Sequence, residues 1–359
     1  MPKRRRDSLQ GIGKIPVGAD AGHMTFDEVK VGVLPPVIGT IRADPKYFTH
    51  HLASLAIEAE RLGFDAFWAA DSALRARVEP LTLLTYVSAA TERIGLGTAA
   101  MVPAYRNAVS AAQAITTLDR LSDGRLTLGV GAGYPGRSDP EFDLVGVSTR
   151  RRSQRLDDIV GLWRALWSGA DGAQAYRNDH FKIAGLPETY RTSRSGGPPI
   201  WLAAGTPAAL IRAGGLYDGW LPYPPSPQAY RDGLAVVRAA SATAGRRPGA
   251  AALYMTVVIA DDAKGARALA DSYCRQAYGA SLDGMEKIQV FVCGDQEQVR
   301  GRISEFVAAG AEHLVVRLPA LEPHQQEDHL HRVADALVSR RPTPFQSDDR
   351  KRRHRDGCE

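Results

Sequence analysis

Strand-like and helix-like segments alternate through almost the whole of this 359-residue chain, and that alternation limits its fold more than any single motif does. Apolar runs open at Val29, Ala66, Ile94, Leu126, Ile200, Asp218, Leu253 and His313. The stretches between them carry helical spacing, as in Phe48, Leu52, Leu55, Ala59 and Leu62, closed by Gly63, or in Leu156, Ile159, Val160, Trp163 and Leu166. Eight parallel-type strands with intervening helices predict an α/β fold, a (β/α)8 TIM barrel in preference to an open sheet. Neither an internal repeat nor a Pro/Gly/Ser linker interrupts residues 25–340. One barrel domain is therefore expected there, between a flexible basic segment at 1–24 and a disordered basic tail at 341–359.

Composition narrows the partners. Hydrophobic residues make up 44% of the chain, enough for a large core, yet no stretch nears the roughly 18 apolar residues of a membrane span. Lys3 to Arg6 are not followed by the apolar region of a secretory signal, so a cytoplasmic protein is expected. Cys274, Cys293 and Cys358 are too scattered for a disulfide framework or a cysteine zinc site. The net charge of +5 resides in the tails: residues 1–7 and 340–359 each carry +3, leaving the body about −1. No basic–aromatic interleaving accompanies it, so a nucleic-acid partner is not expected.

A barrel puts its chemistry at the carboxyl ends of the strands. The residues just past them include Asp71-Ser72, Thr98 to Met101, Gly131 to Tyr134, Ala204-Gly205-Thr206 and Pro222-Tyr223. Small side chains dominate, which leaves room for a flat ligand. Gly131 and Gly133 allow close backbone approach, although Pro135 interrupts any dinucleotide fingerprint. Gly205-Thr206 ahead of Pro207 is either an anion site at a helix start or an ordinary Thr cap. Asp71 is either a proton-handling carboxylate or a cap for the next turn. No histidine falls on this rim, so no metal site is expected, and no G-x-S-x-G elbow supports acyl transfer. Chemistry then falls to a bound organic cofactor, with Tyr105, Tyr134, Tyr223, Tyr273 and Tyr278 as candidate walls of a pocket for a small organic substrate. A side chain added at Gly133 is expected to fill the ligand's space.

Five stretches carry a resemblance: residues 60–68 (ERLGFDAFW), 90–98 (ATERIGLGT), 117–133 (TLDRLSDGRLTLGVGAG), 218–222 (DGWLP) and 310–314 (GAEHL). With them the chain resembles the bacterial luciferase-like flavin and deazaflavin oxidoreductases over about residues 29–337. The resemblance implies a (β/α)8 barrel with a substrate-capping insertion between strands 7 and 8, matched to residues 274–287, and a non-prolyl cis peptide around Thr98, Ala99 and Ala100. It implies phosphate contacts at Gly131, Gly133, Tyr134, Gly205 and Thr206, with Arg137 as a further one. It also implies a homodimer and a separate flavin or F420 reductase as partner. One branch moves hydride with coenzyme F420; the other oxygenates with reduced FMN and O2. Ser72 stands where many F420 members carry His, whereas residues 211–223 resemble F420-type sequences, so hydride transfer with F420 is the expectation and FMN-dependent monooxygenation the alternative. A non-catalytic carrier barrel is disfavoured by the intact small-residue rim, and an isomerase or aldolase by the absence there of a strand-borne Lys or Glu.

Overall fold

The computed structural model describes residues 25–36, 45–73, 78–168, 175–185, 191–224, 226–319 and 323–338. The expected tails, 1–24 and 341–359, lie outside the described residues. Strand β1 (Lys30–Leu34) leads through α1 (Pro45–Leu62) to β2 (Ala66–Ala69), then α2 (Pro80–Ala90), β3 (Gly95–Met101), α3 (Ala108–Leu121) and β4 (Leu126–Val130). After β4 come α4 (Asp139–Leu144), α5 (Arg152–Trp167) and a small antiparallel hairpin of β5 (Tyr176–Arg177) and β6 (Lys182–Ile183). Next are β7 (Ile200–Leu202), α6 (Pro207–Leu216), β8 (Gly219–Trp220), α7 (Pro227–Thr243) and β9 (Ala250–Ile259). The chain continues with α8 (Ala263–Tyr278), α9 (Leu282–Glu286), β10 (Phe291–Gly294), α10 (Gln296–Ala308), β11 (His313–Arg317) and α11 (Pro323–Leu337).

Strands β1, β2, β3, β4, β7, β8, β9 and β11 pair in parallel, and the β8–β9 and β11–β1 pairings close them into the expected eight-stranded barrel. Strand β9 runs on past the barrel wall, and its Thr256 to Ile259 pair with β10, a ninth strand that the sequence reading did not recognise. The insertion also has different limits. Residues 274–278 complete the long helix α8, and α9 with β10 makes up the remainder. The connection after β4 contains α4, whose Phe142 is fully buried.

The N-terminal end of the barrel is pinned by side chains from the resemblance stretches. Asp65 accepts the Val31 N–H at 2.6 Å, and Glu60 accepts the amides of Arg93 and Ile94 at 2.6 and 2.7 Å. Burial works to raise the Glu60 pKa, but these backbone donors outweigh it and hold it below its ordinary value. Arg125 donates to the carbonyls of Ile94, Ser88, Thr91 and Ser122. Asp218 accepts Ile200 N–H and pairs with Arg164 and Arg246. Each bond ties a strand start to a neighbouring connection.

Inside the barrel, Trp68 and Trp201 lie 5.5 Å apart, and His313 meets Trp201 edge-on. A Cβ at Gly32 or Gly97 would come within 2.2 Å of the Trp68 indole, so the flanking strands need glycine there for the indole to occupy the axis. Aromatic rings thus divide the barrel interior: a small cavity of about 140 Å³ lies below them, between Lys30, Asp65, Arg125 and His313, and a larger one lies above.

Candidate functional site

At the carboxyl ends of the strands lies a cavity of about 270 Å³, near the lower end of ligand sites, roughly 300–1,000 Å³. Its floor is small: Ala99 and Ala100 of β3, joined by a cis peptide bond, and Ala203 just past β7. At this cis bond the β3–β4 register shifts, with Thr98 facing Leu128 and Met101 facing Val130. Leu221, Tyr223 and Tyr254 form one wall, and Tyr278, Met285, Ile288 and Gln289 of the insertion form another. Asp71, Ser72, Tyr134, Arg137, Ser138, Glu141 and Arg317 complete the lining.

Asp71 is nearly buried, and both its oxygens are engaged. Arg106 grips it with Nη1 at 2.6 Å and Nη2 at 3.0 Å, and Val102 N–H donates at 2.9 Å. Arg106 also donates to Glu79. Burial tends to lower the Arg106 pKa, but the two carboxylates win and raise it. Beside this pair, Glu141 accepts hydrogen bonds from the Ser72 hydroxyl and the Tyr105 hydroxyl. Burial first, and then Glu141, push the Tyr105 pKa up, so the phenol keeps its proton and donates it. Burial likewise pushes Tyr223 up to about 12.

Across the cavity stands Arg317, the last residue of β11 and only 7% exposed. Its Nε donates to Thr256 Oγ1 at 3.0 Å, Nη2 to Gln289 Oε1 at 3.4 Å, and Nη1 to the Tyr278 hydroxyl. The rings of Tyr254, Tyr273 and Tyr278 lie 5.3–5.4 Å from its guanidinium carbon. From the opposite rim, Arg137 stacks on Tyr278 at 4.8 Å.

Of the residues singled out in sequence, Asp71, Ala99, Ala100, Tyr134, Arg137, Tyr223 and Tyr278 line the cavity. The others sit elsewhere. Thr98 is buried and donates to Gly129 O; Tyr105 stands behind Glu141, edge-on to Phe142; Tyr273 lies behind Tyr278. Gly131 is one layer below, where a Cβ would rest 3.9 Å from those of Ala100 and Ala203. Gly133 has φ +77°, and a Cβ there would meet Phe142 at 2.8 Å. Protein atoms, and not ligand space, would oppose a side chain at that position, contrary to the expectation above. Gly205 and Thr206 precede α6 outside the cavity lining. A Cβ on Gly205 meets nothing within 4 Å, and the Thr206 hydroxyl makes no capping bond.

The sequence reading missed Arg317, Glu141 and Gln289, and its picture of a rim dominated by small side chains, with Asp71 as the charged candidate, is extended by the first two. Arg317 had a signal: it is the one charged residue inside the run His313-Leu314-Val315-Val316-Arg317-Leu318. Glu141 had none, because its place at the mouth depends on α4 folding back. Among the described residues no cluster of three or more His, Cys, Asp or Glu could hold a metal, and no helix is long and apolar enough to cross a membrane.

The profile of the family described as luciferase-like monooxygenase matches residues 33–313. The chain belongs to this bacterial luciferase-like family of flavin- and F420-dependent oxidoreductases. It is 31% identical to the F420-dependent glucose-6-phosphate dehydrogenase of Nakamurella multipartita, over 66% of this chain and 72% of that one. With the enzyme of the same description from Amycolatopsis mediterranei it shares 31% identity over 47% of this chain and 52% of that one. The chain thus spans about half the length of several curated relatives that it matches. Among solved structures, monooxygenase RslO1 from Streptomyces bottropensis superposes with a TM-score of 0.74 at 21% identity, covering 86% of this chain and 98% of that one, a likeness of fold.

Proposed function

We propose that this protein is an oxidoreductase that moves a hydride between coenzyme F420 and a small organic substrate at the cavity over Ala99, Ala100 and Ala203. The observation that carries the proposal is the alanine floor facing a tyrosine wall at the C-terminal end of the barrel, above the indoles on its axis. The names of the curated relatives favour F420 over FMN.

The residues fit such a group. Flat, methyl-sized side chains suit one face of a fused ring, and Gly205-Thr206 ahead of the ten-residue helix α6 offer open space and an unused hydroxyl for an anionic tail. Gly131, Gly133, Tyr134 and Arg137 would border that tail on the β4 side. When bound, F420 supplies the two-electron donor or acceptor. The chain would do the rest. Tyr223, Tyr254 and Tyr278 wall the substrate and exclude water. Glu141, with Ser72 and Tyr105 already donating to it, would take or return the proton that accompanies hydride movement. Asp71 would be a positioning residue, since Arg106 and Val102 occupy its carboxylate. The reading includes a single barrel unit over 25–340, acting as a homodimer.

Titration of the full chain with F420 and with FMN, followed by ring absorbance and fluorescence, tests the assignment. F420 should bind near micromolar and FMN at least tenfold more weakly. Tighter FMN binding with oxygen uptake during turnover would replace it with reductase-supplied FMN-dependent monooxygenation. Binding of neither would end it.

A further inference from the structure

Arg317 is a buried cation without a counter-charge among the described residues. Its donors reach a threonine hydroxyl, a phenol and an amide oxygen, and three tyrosine rings surround it, yet among the described residues no carboxylate forms an ion pair with it. Arg106 differs: it is held by Asp71 and Glu79. A desolvated charge is costly unless it is paired, and a guanidinium beside a cavity obtains its pair from whatever enters.

A second observation points the same way. Gln289, 8% exposed and part of the same lining, offers its Oε1 to Arg317 while its Nε2 has no hydrogen-bond partner. A buried amide N–H without an acceptor costs about 1–3 kcal/mol. Guanidinium and amide N–H together are donors only, the complement of an anionic oxygen group.

Position separates this group from the cofactor. Strand β11 lies between β9 and β1, whereas the alanine floor and Gly205-Thr206 belong to β3 and to the segment after β7. Arg317 and Gln289 therefore form the wall opposite the surfaces assigned to ring and tail.

We infer that Arg317 and Gln289 form a substrate subsite for an anionic oxygen group, a carboxylate, phosphate or sulfonate, so that the small organic substrate of the proposed reaction is an anion. The inference rests on the reading of the cavity as the F420 site. Tyr278, sandwiched between Arg317 and Arg137, would close over that group from the insertion.

Inorganic phosphate and sulfate serve as probes, at constant ionic strength against chloride, with binding read from calorimetry and thermal midpoint on the full chain. Wild type should bind one of them at millimolar or better. Arg317→Gln should lose at least tenfold in affinity, Arg317→Lys should retain part of it, and Gln289→Leu should lose a few-fold, with F420 affinity unchanged in all three. Equal anion binding in wild type and Arg317→Gln overturns the inference. If Arg317→Gln does not fold, Gln289→Leu and Arg317→Lys decide it by the same criterion. If the substitutions weaken F420 but not its phosphate-free deazaflavin core, the anion is the cofactor's and the substrate assignment falls. Failure of wild type to bind F420 at all would instead sink the cofactor reading, whatever the anions do.

Discussion

The two ends of this barrel are built from the same strands and solve opposite problems. At the N-terminal end charged side chains bind backbone groups, Asp65 on Val31, Glu60 on Arg93 and Ile94, Arg125 on four carbonyls, although Trp68 Nε1, Asp119 Oδ1 and Arg246 Nε stay without a hydrogen-bond partner. Indole rings fill the axis above them. At the C-terminal end lies the cavity over the alanine floor, where among the described residues a cation lacks a carboxylate and an amide lacks an acceptor. One end is held together mainly by bonds from side chains to strand starts, while at the other a pair of donors faces the wider cavity. Stability and ligand binding should therefore separate cleanly along the barrel axis.

The strongest test of that separation is Gly97→Val. Its side chain would enter the space of the Trp68 indole, where a Cβ already approaches to 2.2 Å. Overpacking of this kind should cost about 3 kcal/mol or more in urea unfolding. An unchanged unfolding midpoint would show that the axis is not filled as described.

Next in size is an acid dependence from His329. It accepts the Ile259 N–H through Nε2, and burial pushes its pKa down to about 4. Its unfolded value is about 6.5, so the unfolded chain binds the extra proton first. Stability from this group is then complete above about pH 6.5 and lost as pH falls toward 4, by about 3 kcal/mol in all. In His329→Gln, whose amide oxygen can accept the same N–H, the loss between pH 6.5 and 4 should shrink by about that amount; an identical pH profile would refute the assignment.

At the mouth, Asp71→Asn leaves Arg106 with Glu79 alone and should destabilise by about 2 kcal/mol, less than a fully buried orphan charge. It should slow turnover through displaced neighbours without changing the pH profile. A shifted profile would make Asp71 a proton carrier and not a positioning residue. Smallest in free energy, Ala100→Leu should weaken cofactor binding about tenfold, or about 1.4 kcal/mol, with an unfolding midpoint near that of wild type. Unaltered affinity would move the ring away from the alanine floor.

What was legible before any coordinates divides along the same axis. Three of the five resemblance stretches hold the residues that pin the lower end, Glu60, Asp65, Arg125 and Asp218, with Asp119, which accepts the Ser193 N–H; their identities were on view in the sequence, their partners were not. Of the mouth, the alanine pair, Asp71, Tyr134, Arg137, Tyr223 and Tyr278 could be named, since they follow directly on strands or lie in the insertion. Glu141, Gln289 and the anion-seeking face of Arg317 could not. They reach the cavity from α4, from the segment ahead of β10 and from the last strand, which lie far apart in the chain.

Periodicity and turn chemistry are local, so the order of residues alone specified an eight-stranded parallel barrel and the small-residue floor. Which charges find partners is a long-range matter, settled when separate segments meet. Only the folded molecule shows that Asp71 is already spoken for by Arg106, that Phe142 fills the space over Gly133, and that Arg317 faces the cavity with no carboxylate of the described residues beside it.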